Sequence, residues 1–155
     1  MRRHDRELTE KQELMRILDE ADVCRLAIRG EEYPYIVPLN FGYSWDNRLI
    51  LYFHSAPVGR KIDLLRRDNR VGFEIDTGHE LQTADQACGW GMKFKSLIGA
   101  GEILFISDEQ EKEFALLRIL RKYGYEGQGL FDRGAFAATV TYKLLVERVT
   151  GKQKK

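Results

Sequence analysis

Five consecutive apolar residues, Leu49-Ile50-Leu51-Tyr52-Phe53, run straight into His54-Ser55-Ala56, then a Pro57/Gly59 turn and the pair Arg60-Lys61. An apolar run of that length bounded by turn signals is a strand buried on both faces. Donors and positive charge therefore gather where the chain leaves a sheet, which is how a protein builds a seat for an anion. Arg and Lys give charge-assisted hydrogen bonds worth about 1.5–3 kcal/mol each, so two of them with a hydroxyl can hold a phosphate monoester without a Gly-rich loop. The same residues also suit a solvated turn before a basic helix, and the segment by itself leaves both readings open.

Patterning on either side extends the sheet. Thr9 and Gln12 form a capping-box pattern, and Leu14, Ile17, Leu18 and Ala21 recur at helical spacing, which predicts a helix over 10–21. From Val23 the period changes to two: Cys24, Leu26 and Ile28 alternate with Arg25 and Arg29, a turn follows at Gly30-Glu31-Glu32, and Tyr35 to Tyr43 returns as a strand. Asp46-Asn47 supplies the turn into the Leu49 to His54 strand. A short helix is expected over 61–69, a strand through Val71, Phe73 and Ile75, and a polar loop over 77–90, long enough to be functional. Met92 to Ile106 reads as a strand whose Gly99 and Gly101 signal a bulge or a close approach. Ser107 and Gln110 open a helix that stops at Gly124, residues 124–134 form a Gly-rich loop, and Ala135 to Val149 closes as a strand. About six strands with short turns and two sizeable helices make the chain mainly β, a closed or half-closed antiparallel barrel with helices packed outside. The basic tail, residues 152–155, is expected to fray.

Length and charge narrow the functions. The 155 residues suit one domain, 1–155, able to remove about 70% of its unfolded surface from water. No apolar run approaches the ~18 residues of a membrane span, and the charged start MRRHDRELTEKQ lacks an apolar signal core, so a soluble cytoplasmic protein is expected. With 25 Lys and Arg against 24 Asp and Glu, the net charge of +1 sets up no field for a polyanion, which argues against a nucleic-acid binder despite 11% aromatic residues. Cys24 and Cys88 lie far apart with no CxxC or HxxxH spacing nearby, so neither a disulfide framework nor a metal site is signalled.

Pro38 interrupts a segment that otherwise reads as a strand, Tyr35-Ile-Val-Pro-Leu-Asn-Phe41. Proline cannot donate to a ladder, so the strand bulges or lies at an edge there. The backbone of Leu39 and Asn40 is then free to bond something else, a flat heterocycle among the options; an edge proline facing solvent explains the residue equally well. His54 at the strand end suits a metal ligand, a phosphate donor or a surface histidine. No GxSxG nucleophile is present, and Gly99-Ala-Gly101 lacks the third glycine and following helix of a dinucleotide fingerprint. Trp90, beside two glycines, could reach a site as a lid.

Several motifs in order now carry a family resemblance. Tyr33-Pro34-Tyr35-Ile36-Val37-Pro38-Leu39-Asn40-Phe41, then Leu51-Tyr52-Phe53-His54-Ser55-Ala56 with Gly59-Arg60-Lys61-Ile62-Asp63, resemble the FMN-binding split-barrel proteins related to pyridoxamine 5'-phosphate oxidase. Within that superfamily the chain is most similar to the 5-nitroimidazole-resistance (Nim-type) group, whose later strand Phe94-Lys95-Ser96-Leu97-Ile98-Gly99-Ala100-Gly101 resembles and whose C-terminal signature Thr150-Gly151-Lys152 resembles. The resemblance runs from Arg2 to Lys152. It implies a six-stranded split barrel and a homodimer with FMN in grooves between subunits. By position, Pro38, Leu39 and Asn40 would contact the isoalloxazine, His54, Ser55, Arg60 and Lys61 would surround the ribityl phosphate, and Lys95 and Ser96 would complete the site. Tyr142 to Lys155 lacks the Arg-containing substrate motif of true pyridoxamine phosphate oxidases, and Phe94 stands where the related group often has tyrosine. The implied function is an FMN oxidoreductase passing electrons from NADH or NADPH to a nitroaromatic or quinone, the alternative a non-catalytic flavin or haem binder.

Overall fold

The computed structural model describes residues 3–155; Arg2, where the resemblance begins, lies outside them. In chain order the elements are β1 (Glu7–Leu8), α1 (Lys11–Glu20), β2 (Cys24–Ile28), β3 (Tyr35–Leu39), β4 (Gly42–Trp45), β5 (Leu49–Ser55), α2 (Arg60–Arg67), β6 (Arg70–Gln82), β7 (Gly91–Phe105), α3 (Glu109–Lys122), α4 (Arg133–Ala138) and β8 (Val140–Lys154). All strands join one antiparallel sheet in the order β3-β2-β6-β7-β8-β5-β4, with β1 added to β8. The two edges of that order, β3 and β4, are separated in the chain by only Asn40 and Phe41. A sheet whose edges are covalent neighbours has to curl until they meet at that corner, and it does so without pairing them. The core fills the curl: Leu26, Phe41, Leu51, Phe53, Ile75, Leu97, Tyr142 and Leu144 are fully buried, with Ile17 and Leu18 of α1 closing one end.

The sheet therefore has eight strands among the described residues, not the expected six, and the departures share a cause. β6 continues through the polar residues 77–82, and only 83–90 remain as a turn, because the β6–β7 hairpin projects past the core and needs no buried face. Its bulge between Thr77 and Glu80 holds Gly78 at φ +66°. The expected frayed tail is instead the end of β8: Lys152 pairs with both Glu7 and Ser96, Gln153 with Lys95, and Lys154 with Phe94. β1 supplies the eighth strand through two residues. Residues 133–138, the first two expected in the Gly-rich loop and 135–138 expected to open the last strand, form α4, started by Asp132, whose Oδ1 accepts from the Ala135 amide at 2.9 Å. α1 spans 11–20 rather than 10–21, with Glu10 at the N-cap and no side-chain cap, so the Thr9/Gln12 box does not form. α2 spans 60–67 rather than 61–69. Asp108, not Ser107, caps α3, accepting from the Glu111 amide at 2.8 Å.

The glycines within β7 behave as expected. A register shift falls between Ala100 and Gly101, and a Cβ on Gly99 would meet the Phe73 ring and the Arg148 carbonyl. α3 lies on the outer side of β4 and β5, where Tyr52, Ala115 and Ile119 form a second small core. Its end is tied to the end of α1. Lys122 Nζ donates to the Leu18 and Asp19 carbonyls at 2.6 and 3.2 Å, satisfying open groups at the end of α1, and stands 4.7 Å over the Phe41 ring.

Candidate functional site

The seam between β3 and β5 is where the unused bonding capacity of the sheet lies. β3 pairs only with β2, Leu39 with Cys24 and Pro38 with Arg25, so its other edge is open and Pro38 occupies an edge strand. β5 pairs with β4 only through Leu49–Tyr52, which leaves Phe53 to Ser55 unpaired on that side. The corner between them is pinned by a short relay: the Phe41 amide donates to Tyr123 Oη at 3.2 Å, and Tyr123 Oη donates to the Asp22 carbonyl at 2.6 Å.

At the open end of the seam the chain turns from β5 into α2. Gly59 sits at φ +129°, ψ 162°, a region essentially reserved for glycine, and it serves as the N-cap of α2 with no side chain bonding the first turn. The first amides of α2 therefore face outward with the positive end of the helix dipole behind them. Arg60 lies over the Tyr35 ring at 5.0 Å, which ties the helix start to the start of β3. Neighbouring charges go elsewhere, Arg67 to Glu31 and Arg70 to Asp68, and neither Arg60 nor Lys61 has a carboxylate partner among the described residues. Burial lowers the pKa of Lys61. Ser55 Oγ, facing the core side, donates to the Ala56 carbonyl at 3.0 Å. His54 points the other way, into an apolar cavity of about 190 Å³ against α3 and α4, with Leu116, Phe131, Asp132 and Phe136. Although the residue reaches solvent, partial desolvation, with the Lys61 ammonium nearby, lowers its pKa.

The structure thus brings six of the nine expected residues, Pro38, Leu39, Asn40, Ser55, Arg60 and Lys61, to the two banks and the head of one seam, while His54, on the same strand as Ser55, turns its side chain away toward α3 and α4. Lys95 and Ser96 are not at it. They lie on β7, three strands from β3, or about 14 Å in the pairing direction. Ser96 is in register with Asp76 and Lys152, and Lys95 Nζ is held by both carboxylate oxygens of Glu20 at 2.9 and 2.8 Å. Residues of the 77–90 segment are engaged elsewhere. His79 pairs with Asp76 at 3.0 Å, beside Arg25, which bridges Asp76 and Glu74 at 2.6 and 3.0 Å, and Trp90 donates to the Ala84 carbonyl at 2.8 Å. Partial burial, with Asp76 close by, raises the pKa of Glu74.

An anion-bearing heterocycle fits these donors: open amides at a helix start, two cations without carboxylates, a hydroxyl, and beside them a free strand edge. Sequence reasoning missed Tyr35 as the platform for Arg60, and Tyr142, whose hydroxyl is buried under Ser55's strand without a partner. The signal for Tyr142 was a polar tip at an inward position of a period-two strand.

Residues 10–153 match the family pattern described as pyridoxamine 5'-phosphate oxidase. The chain belongs to the pyridoxamine 5'-phosphate oxidase family. Among solved structures it is similar to a candidate 5-nitroimidazole antibiotic resistance protein from Bacteroides thetaiotaomicron, 36% identical, with a TM-score of 0.82 over 95% of this chain and 86% of that one. An FAD-binding protein from Mesorhizobium loti is 25% identical, with a TM-score of 0.65 over 97% and 98% of the two chains. A flavocytochrome from Azotobacter vinelandii shares the fold at 20% identity, with a TM-score of 0.83 over 100% and 72%. An uncharacterized protein of Rhizobium meliloti (strain 1021) is 37% identical over 65 residues, 42% of this chain; the match spans 40% of that relative's length. No helix among the described residues is long and apolar enough to cross a membrane.

Proposed function

We propose that the chain is a homodimeric FMN protein that works as an oxidoreductase between a reduced nicotinamide and a small oxidised acceptor such as a nitroaromatic or a quinone. The observation that carries this reading is the head of the seam: Arg60 and Lys61, without acidic partners, at the uncapped start of α2 beside Ser55. Family membership and the likeness to flavin-binding and nitroimidazole-resistance proteins support flavin as the occupant. Arg60, Lys61 and Ser55 would hold the phosphate, and the open edge at Pro38, Leu39 and Asn40 would receive the ring system. When bound, FMN supplies the two-electron redox chemistry.

The same geometry supports the proposal of a second copy of the chain. Lys95 and Ser96 would serve a partner's cofactor rather than their own, since β7 lies three strands from one bank of the seam, β3, and two from the other, β5. Ser96 shares its outer sheet face with Ile98, and that face is suited to a mate; Lys95 alternates to the opposite face. Ile36, Ala27, Gly72 and Ala100 form one cross-strand row and Ile98 sits in the next, with Ile36 63% and Ile98 60% exposed. Small residues between two isoleucines let another sheet approach closely.

The absorbance spectrum of the purified protein, followed by stopped-flow mixing of the FMN-loaded protein with NADH or NADPH and then a nitroimidazole, tests the reading. The expected result is a flavin spectrum that bleaches with one nicotinamide and recovers on acceptor addition. A haem spectrum without flavin overturns the cofactor assignment. A flavin that neither nicotinamide bleaches within minutes, and that after chemical reduction passes no electrons on, replaces the enzyme with a flavin-binding protein.

A further inference from the structure

Two buried side-chain oxygens among the described residues have no partner, Thr141 Oγ1 and Tyr142 Oη, and they are neighbours on β8. They lie on opposite faces: Thr141 is in register with His54 on the face toward α3, whereas Tyr142 is in register with Phe53, and Val140 with Ser55, on the face behind the seat. Tyr142 is 0% exposed, its ring stacked on Phe53 at 5.6 Å and set against Phe105 at 5.8 Å. Alternate residues of a strand share a face, so Ser55 lies on the same face as Phe53 and is the diagonal neighbour of Tyr142, within reach of a long side chain. A buried hydroxyl with no bond is destabilising, and phenylalanine would fill the same space without that cost. Burial raises the phenol's pKa, with Ser55 the side chain whose bonding would offset it. The phenol stays protonated and is available as a donor.

We propose that Tyr142 is a positioning residue for the anion seat: its hydroxyl donates to Ser55 Oγ and turns the Ser55 proton away from the Ala56 carbonyl toward a phosphate held at Arg60 and Lys61. The proposal rests on the phosphate seat proposed above and deepens it. Tyr142 touches no ligand and acts only through Ser55. In the structure the phenol is unpaired while Ser55 serves its neighbour's carbonyl. With an anion bound, the serine proton has a better acceptor, its oxygen is free to accept from Tyr142, and the missing bond of the phenol is supplied. The seat is thereby built to favour a phosphorylated flavin over its dephosphorylated form.

Affinities for FMN and riboflavin, read by flavin fluorescence quenching, are compared for the wild type, Tyr142→Phe, Ser55→Ala and the double variant, together with the thermal midpoints of the flavin-free proteins. Tyr142→Phe is expected to bind FMN about five- to tenfold more weakly, the size of one neutral hydrogen bond. It should bind riboflavin as the wild type does, melt no lower than the wild type, and have no further effect on FMN in the Ser55→Ala background. An unchanged FMN affinity, an equal loss for riboflavin, or the full loss persisting beside Ser55→Ala overturns the proposal. A second measurement leaves Tyr142 intact: inorganic phosphate should shift the Tyr142 ring resonances in the wild type and not in Ser55→Ala, and the same shift in both overturns it. A wild type that does not distinguish FMN from riboflavin removes the phosphate seat itself, and that outcome is read before any variant is made.

Discussion

Lys61 and His54 sit seven residues apart and face different surroundings, and their responses to substitution should differ in kind. Lys61 is the cation at the head of the seam. Lys61→Ala should cost about 2 kcal/mol of FMN binding, about thirtyfold in affinity, with riboflavin nearly unaffected; equal losses for the two flavins would count against a phosphate role. His54 is a stability group in the flavin-free protein. Its folded pKa is lowered by partial desolvation and by Lys61, so the fold favours the neutral ring. That contribution is complete above the ordinary imidazole pKa of about 6.5 and is lost as pH falls through the lowered folded value, because the unfolded chain takes up the proton first. Urea midpoints should therefore fall between about pH 7 and 5 more steeply for the wild type than for His54→Asn. Parallel curves would mean that His54 does not titrate differently on folding.

Elements were readable in the amino-acid pattern where they bury a face. β2, β5 and the first half of β6 showed their inward residues, and α3 its apolar stripe, because burial is what imposes the period. Residues 77–82 and 152–154 are strands for another reason, backbone pairing with a neighbour already in place, and side-chain pattern carries no record of that. Phe136, Ala138 and Val140 alternate as a strand would, yet Asp132 caps a helix there. The head of the seam was visible because Ser55, Arg60 and Lys61 fall within one contiguous segment. That Lys95 and Ser96 lie three strands away was not, since strand order is a long-range property. Element contacts also include one that a single atom decides. A Cβ on Gly42 of β4 would lie 2.5 Å from the Arg118 carbonyl carbon and the Ile119 amide of α3. Gly42→Ala should push α3 off the sheet, break the bond from Arg118 to the Tyr43 carbonyl, and destabilise by about 2 kcal/mol or more. A urea midpoint unchanged from the wild type would show that α3 shifts without cost.

At the scale of the whole molecule, the proposed homodimer would use the outer face of the sheet, and its interface should bury on the order of 2,000 Å² or more if the dimer is obligate. Light scattering at micromolar concentration should give twice the 18.0 kDa of the chain. Ile98→Asp, on the outer row, should halve that mass and weaken FMN binding together, since partner residues would leave the seam. A dimer that persists unchanged would place the interface elsewhere. β8 has a consequence of a different sort. The last fifteen-residue strand to be made is also an interior one, lying between β7 and β5 and holding β1 besides. Until it arrives, β5 and β4 have nothing to join them to the rest of the sheet, so this protein cannot take shape progressively from its first residues as they leave the ribosome. A nascent chain stalled at residue 139 should be cut by protease within β4, β5 and α3, and release of residues 140–154 should make those elements resistant in one step.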